Sequence, residues 1–514
     1  MQSALFSALI DQTLRQAGEA ATPPQVRAQR VGLARQALGA GRADKAIPLL
    51  AAMGRKWPAD AEVALLRGVA LRLEQRFVEA AGVFAAARAA GASDPALLHG
   101  LAQTRYELGQ PAASLFGEVQ RAAPDNQDVL RIRASAIAAE GDLAGAEALL
   151  EGAVAANPGW LDGHKALSVL RWTLGDQARF AESYAAACRA QPGNADLWLA
   201  WFRALAQTRD WPAALAVLDV AEAELGITPA LIVARLFVAS ESGDTAQAAQ
   251  LLAETSAIEG EAINLLRVRH ALRSGQPEVA EAVATAQVSG PSAPVFWPYL
   301  SLAWRLRGDD RAAWLDRPDV FIRPCEVALS STELTELAAL LRELHVMTRP
   351  YIEQSVRGGT QTDRSVIQRH EPIMQLAKAR WIEAIRGYVD ALPPVEQGHP
   401  LLGLPRGELL VEGSWSVRLL RQGYNVPHNH PVGWLSTAFY IALPDAAQLG
   451  PPPAGHIAFG TPPEELGLDL PAYGTITPHC GLTAVFPSTM WHRTMPFEDG
   501  ERLVMALDVR RPRY

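Results

Sequence analysis

Two hydrophobic rhythms divide the chain. Up to about residue 315 the apolar positions are mostly Ala and Leu set among Arg and Glu, with few β-branched runs, which is helix-forming material. From about residue 408 short stretches read as strands. GSWSVRLLRQG alternates and puts Trp415, Val417 and Leu419 on one face. LSTAFYIALP (435–444), HIAFG (456–460), LTAVFP (482–487) and RLVMALDVR (502–510) read as further strands, separated by loops rich in Pro and Gly. Such a set predicts a sandwich or barrel. Between the two regions lie a helix over 331–347, with Ser331 or Thr332 as N-cap, and an amphipathic helix over 373–392 that Pro393 and Pro394 end. The stretch 351–364, YIEQSVRGGTQTDR, reads as a polar, Gly-containing loop.

Within the helical region the breaks recur. They fall at Gly41, Gln75, Gly109, Gly141, Gly175, Arg209, Gly243, Gly275 and Gly308, in steps of 34, 34, 32, 34, 34, 34, 32 and 33 residues. Pro124, Pro158 and Pro192 mark a second set of breaks, also 34 apart. This helix–turn–helix period resembles that of tetratricopeptide (TPR) repeats. The resemblance implies a superhelical solenoid whose concave groove holds a peptide or protein. Trp198, Trp201 and Phe202 sit at helical spacing and read as core rather than groove.

Totals narrow the class. A length of 514 residues calls for more than one domain. The net charge of −8 argues against a nucleic-acid partner. No apolar run is long enough to cross a bilayer, so no membrane association is expected. The opening MQSALFSALIDQTLRQAG lacks the basic start of a secretory leader. The three cysteines, Cys188, Cys325 and Cys480, are odd in number and far apart, which points to a reducing cytoplasm. The oligomeric state is not legible.

The chemistry concentrates near the C-terminus. His428 and His430 flank Asn429 in YNVPHNHP at a strand end, where alternate residues share a face and two imidazoles can converge on a metal. His492 follows 62 residues after His430, and Arg502 ten residues after that. Imidazole suits iron, zinc or copper alike. Read alone, the histidine pair is equally a polar turn, and Arg502 a surface arginine; their joint spacing argues for a site. His399, His456 and His479 read as loop or core residues. Ser488 lacks the G-x-S-x-G context of a hydrolase nucleophile.

RGGTQT (357–362), HNHPVGWLSTAFYIALP (428–444), HIAFGTP (456–462) and FPSTMWH (486–492), in that order, resemble a bacterial and phage branch of 2-oxoglutarate/Fe(II) oxygenases that often carries TPR repeats. The resemblance covers roughly residues 350–514. It implies a double-stranded β-helix (jelly-roll, cupin-like) core. The whole would be an α-helical TPR solenoid over 1–315, a helical linker with support helices over 316–407, and an α+β C-terminal domain with its core over 408–514. Carried over, His428 and His492 bind Fe(II), and Arg502, with Tyr440, binds the C5 carboxylate of 2-oxoglutarate. Arg357 and Gln361 are candidates for touching substrate. The activity implied is a dioxygenase (hydroxylase) that uses O2 on a peptide or protein side chain recruited by the TPR groove. The competing readings are a TPR scaffold with an inactive domain, or an oxygenase of a small molecule.

Two departures from the pattern stand out. The family's carboxylate ligand is replaced by His430, which either ligates, or stands back and leaves two histidines and water; an open position would also admit a halide. Val504 and Ala506 stand where relatives tend to carry Ser.

Overall fold

The computed structural model describes Gln12 and residues 24–512; the opening stretch weighed above as a leader lies largely outside them. Contacts divide the chain into two units. One is built from the chain up to Leu149 with Gln368–Gln375, the other from Leu150–Ile367 with Leu376 onward.

In both units the helical part is a TPR solenoid. All nine breaks inferred from spacing are turns in the left-handed region, from Gly41 (φ 69°) to Gly308 (φ 65°). Glycine enters this region without a Cβ penalty. Gln75 (φ 55°) and Arg209 (φ 62°) enter it at a cost. In the first unit Leu49, Leu50, Phe84 and Phe116 form part of one continuous core. In the second, the helices Leu161–Thr173, Ala195–Gln207, Pro229–Ser242, Glu261–Arg273 and Ala293–Arg307 each contact the next member of this series. They form the inner layer of the superhelix. Trp198 and Phe202 are buried there, and Trp201 stacks on Trp198, so this aromatic group is core.

The C-terminal part is an antiparallel, nearly closed sheet of jelly-roll type. Its strands are β1 (Arg323–Glu326), β2 (Val356–Gln361), β3 (Val411–His428), β4 (Gly433–Ala442), β5 (Ile457–Phe459), β6 (Gly474–Ile476), β7 (Leu482–Pro487), β8 (His492–Thr494) and β9 (Arg502–Arg510). The order is β1-β7-β4-β9-β3-β8-β5-β6, with β2 added beside β3. The expected loop at 351–364 therefore contains a strand. Gly359 explains it: a Cβ there would lie 2.2 Å from the Arg418 carbonyl oxygen, so only glycine lets β2 come this close to β3. His345 bonds Thr360 Oγ1 (2.8 Å) and Ser416 Oγ (3.0 Å), tying β2 and β3 to the preceding helix.

That helix, Ser331–Leu344, is capped by Ser330, one residue before the first of the two expected caps. Ser330 accepts the Glu333 N–H, and the Glu333 carboxylate accepts the Ser330 N–H, a reciprocal capping box. The helix Pro372–Asp390 buries Trp381, whose indole donates to Thr483 Oγ1 at 2.9 Å.

Within the second unit the sheet domain rests on the inner layer of helices. Trp491 donates to the Pro298 carbonyl (3.0 Å) and meets Tyr299 edge-on, and Leu466 joins the same apolar cluster. Arg273 donates to the Glu465 carbonyl (2.7 Å), and Arg305 to the carbonyls of Gly460 and Pro471. Trp172 donates to the Pro350 carbonyl at 3.1 Å. No helix among the described residues is long and apolar enough to cross a membrane.

Candidate metal centre and cofactor pocket

Register brings the histidines together. Antiparallel pairing of β3 with β8 sets His428 directly opposite His492. Residues so paired have neighbouring Cβ atoms. The chain then turns, and the His430 N–H bonds the Ser488 carbonyl at 2.8 Å, which swings its ring back to the pair. Ring centroids are 4.2 Å apart for His428–His492, 5.0 Å for His428–His430 and 5.1 Å for His430–His492. One nitrogen from each lies within 4.8 Å of the others.

Each imidazole is oriented the same way. Nδ1 of His428 faces the Val426 carbonyl (2.7 Å), Nδ1 of His492 the Met490 carbonyl (3.0 Å), and Nδ1 of His430 the Asp508 carboxylate (2.7 Å). These oxygens only accept, so Nδ1 carries the proton and the Nε2 lone pair remains. Burial drives His428 down to about 3 and His492 well below the ordinary imidazole value, reinforced by the neighbouring imidazoles. Both are therefore neutral, the form that ligates. Asp508 is itself held, accepting the Ser436 hydroxyl at 2.6 Å. Trp415 stacks on His430 at 5.4 Å and 11°.

The triad opens into a cavity of about 600 Å³. Alternate residues of β9, namely Arg502, Val504, Ala506 and Asp508, all line it, as do Arg357 and Gln361. Arg502 is fully buried with no carboxylate partner among the described residues, and its guanidinium lies 4.9 Å from the Tyr440 ring. The Tyr440 hydroxyl is buried without a hydrogen-bond partner. Burial lowers Arg502 and raises Tyr440 from their ordinary values, and each is partly offset by the other. His399 is a core residue that accepts the Leu401 and Leu402 N–H groups, and His479 is an exposed partner of Glu326.

Sequence reasoning missed Asp508, Trp415, Gln207 and Arg209. Asp508 had a signal: it lies six residues after Arg502 on one strand, hence on the same face. Gln207 and Arg209 had none, because they reach the cavity from the helical region.

Residues 413–508 match the family model described as "Putative 2OG-Fe(II) oxygenase", and residues 31–95 and 99–159 match the tetratricopeptide repeat model. The chain joins TPR repeats to a C-terminal 2OG-Fe(II) oxygenase-family domain. No curated protein matches it. Among solved structures it is similar to a TPR protein from Parabacteroides merdae ATCC 43184 (15% identity, TM-score 0.30, covering 50% of this chain and 97% of that one). It is similar to YrrB, a TPR protein with an unusual peptide-binding site (17%, TM-score 0.29, 34% and 89%). A Pseudomonas putida prolyl-4-hydroxylase also matches (17%, TM-score 0.27, 39% and 98%). At these scores the likenesses say nothing about activity.

The oxygenase-family domain implies Fe(II) and 2-oxoglutarate, and the residues fit both. His430 Nε2 is buried with no partner. Leaving such an acceptor unpaired is costly, and a divalent cation satisfies three imidazoles at once. Arg502 is a buried cation lacking an anion, which a dicarboxylate supplies.

Proposed function

We propose that the chain is an Fe(II)- and 2-oxoglutarate-dependent dioxygenase of the cytoplasm that hydroxylates a peptide or protein side chain. The observation that carries this reading is the common orientation of three imidazoles, each with Nδ1 tied to oxygen and Nε2 left for the centre, beside an unpaired buried arginine. We assign His428, His430 and His492 as the iron ligands, and Arg502 with Tyr440 to the C5 carboxylate of 2-oxoglutarate. Iron(II) with 2-oxoglutarate, when bound, supplies O2 activation coupled to decarboxylation to succinate.

The chain's own residues do the rest. Asp508 fixes the tautomer and plane of His430. Arg502 presents a planar fork that a carboxylate meets bidentately. Val504 and Ala506 line the chamber with apolar surface in place of the Ser of relatives. We divide the chain into a solenoid (1–315), support helices (316–407) and the oxygenase core (408–514). The inner helices from Leu161 to Arg307 hold the oxygenase domain itself. We assign recruitment of the peptide to the TPR groove, and Arg357 and Gln361 to the substrate in the chamber.

The test is an anaerobic titration of the full-length protein with Fe(II) and then 2-oxoglutarate. A stoichiometric metal-to-ligand absorption band is expected, followed by succinate formation in air. Absence of the band in folded protein refutes the assignment and leaves a TPR scaffold.

A further inference from the structure

We propose that Arg357, with Arg209 beside it, forms a subsite for an oxyanion carried by the substrate, a carboxylate or a phosphate. The inference rests on reading the cavity as the substrate chamber. Arg357 lies on β2 opposite Tyr424, and its side chain is half-buried in the cavity wall. Its Nη1 donates to the carbonyls of Gln354 (3.0 Å) and Val356 (2.8 Å). Those bonds fix the guanidinium and leave its charge uncompensated. The Nε–Nη2 edge has no protein acceptor among the described residues, and that edge is the one a carboxylate or phosphate meets with two parallel bonds.

The acids of the cavity are already engaged. Glu353 accepts from Gln207 (2.6 Å) and pairs with Lys165 at 3.4 Å. Asp508 is held by His430 and Ser436. Arg209 adds a second positive charge to the same wall and is partly neutralised by Glu465. It occupies a left-handed repeat turn (φ 62°), a position where seven of the nine equivalents are glycine. Burial, with the charge of Arg209, lowers Arg357 from its ordinary value, and Tyr424 partly offsets this. Arg502, on β9, is a separate cation, assigned above to 2-oxoglutarate.

The experiment uses the full-length protein and calorimetry, with and without Fe(II). The probes are inorganic phosphate, a blocked Ala-Asp-Ala peptide and its Ala-Asn-Ala counterpart. At least one anionic probe is expected to bind saturably, with the Asn peptide about tenfold weaker than its Asp form if the source is a carboxylate. Arg357→Gln should weaken anion binding by about tenfold or more, and Arg357→Lys should restore part of it, because charge returns without the fork. If phosphate is preferred over the Asp peptide, the substrate oxyanion is a phosphate. The proposal is overturned if neither anion binds the wild type, or if both bind Arg357→Gln and Arg357→Lys as they bind the wild type. The wild-type iron and 2-oxoglutarate titration runs alongside: its failure with anion binding intact removes the cofactor reading alone, and the converse removes the subsite alone.

Discussion

Replacing Asp508 by Asn isolates the role of the carboxylate behind His430. The side chain accepts from His430 Nδ1 at 2.7 Å and from the Ser436 hydroxyl at 2.6 Å, and Ser436 in turn lies 2.9 Å from the Ser488 hydroxyl. The amide is isosteric, so packing is kept. It can turn its oxygen to His430 and its NH2 to Ser436, which preserves both contacts and removes the charge. A hydrogen bond to a charged group is worth about 1.5–3 kcal/mol and a neutral one about 0.5–1.5, so roughly 1 kcal/mol of support for the imidazole is lost. Partners behind a metal-bound histidine typically govern affinity by about 10–100-fold, or about 1.4–2.8 kcal/mol. Asp508→Asn should therefore sit near the tenfold end. Asp508→Ala, which also strands the His430 N–H, should sit near the hundredfold end. The assay is an anaerobic Fe(II) titration at fixed pH, and His430→Ala with Asp508→Ala should lose less than the sum of the singles, because both act on one ligand. A folded His430→Ala that binds iron as the wild type does would show that His430 is not a ligand, and a strictly additive double would show that Asp508 does not act through it.

Other outcomes follow from the same structure. Arg502→Met removes a buried cation without an acid partner, so the ligand-free protein should gain about 1–4 kcal/mol in denaturant melts while losing its stabilisation by 2-oxoglutarate; a less stable variant contradicts this. Asp316 is buried, accepts the Ser301 hydroxyl, and burial raises it from 3.8 to about 6. An acid so raised contributes stability below its unfolded value and loses it as pH rises through the folded one, by at most about 3 kcal/mol between pH 4 and 6. Asp316→Asn should flatten that slope, and an unchanged pH profile of unfolding refutes it. Gln75→Gly should stabilise by about 0.5–1 kcal/mol, because φ 55° no longer meets a Cβ; chemical denaturation measures it, and a loss of stability counts against the strain. A fragment starting near 320 would expose Leu466 and Trp491 and lose Gln207 and Arg209 from the cavity wall, so it should self-associate in sedimentation; a well-behaved monomer speaks against the packing of the sheet domain on the inner helices.

What the sequence made legible depended on how far each signal reaches along the chain. The repeat turns were legible because left-handed backbone selects glycine at seven of nine positions, and spacing recovered Gln75 and Arg209. The H-x-H pair was legible as a local motif, whereas His492 was legible only through the family spacing; the structure brings His430 back by a turn beyond the end of β3 rather than by strand alternation. Strand β2 was hidden because RGGTQ carries two glycines; its pairing depends on the close approach that Gly359 allows to β3, a partner about sixty residues away. Strands β1, β6 and β8 have three or four residues each, too few to show a period. The contacts between helices and sheet, such as Arg273 with the Glu465 carbonyl, join residues nearly two hundred positions apart and leave no pattern in either segment.

Those long-range contacts fasten the helices of the second unit to the jelly roll. Many helix-to-sheet bonds are from side chains to backbone carbonyls: Trp172 to Pro350, Arg273 to Glu465, Arg305 to Gly460 and Pro471. Backbone acceptors sit in loops with few partners of their own, and a buried carbonyl left unpaired costs free energy. The inner helices therefore fix the positions of the 345–355 and 460–471 loops, and the first of these supplies Glu353, Gln354 and Ser355 to the cavity and leads into β2, which supplies Arg357. The chamber beside the three imidazoles is thus shaped by residues that no domain-by-domain reading would place there.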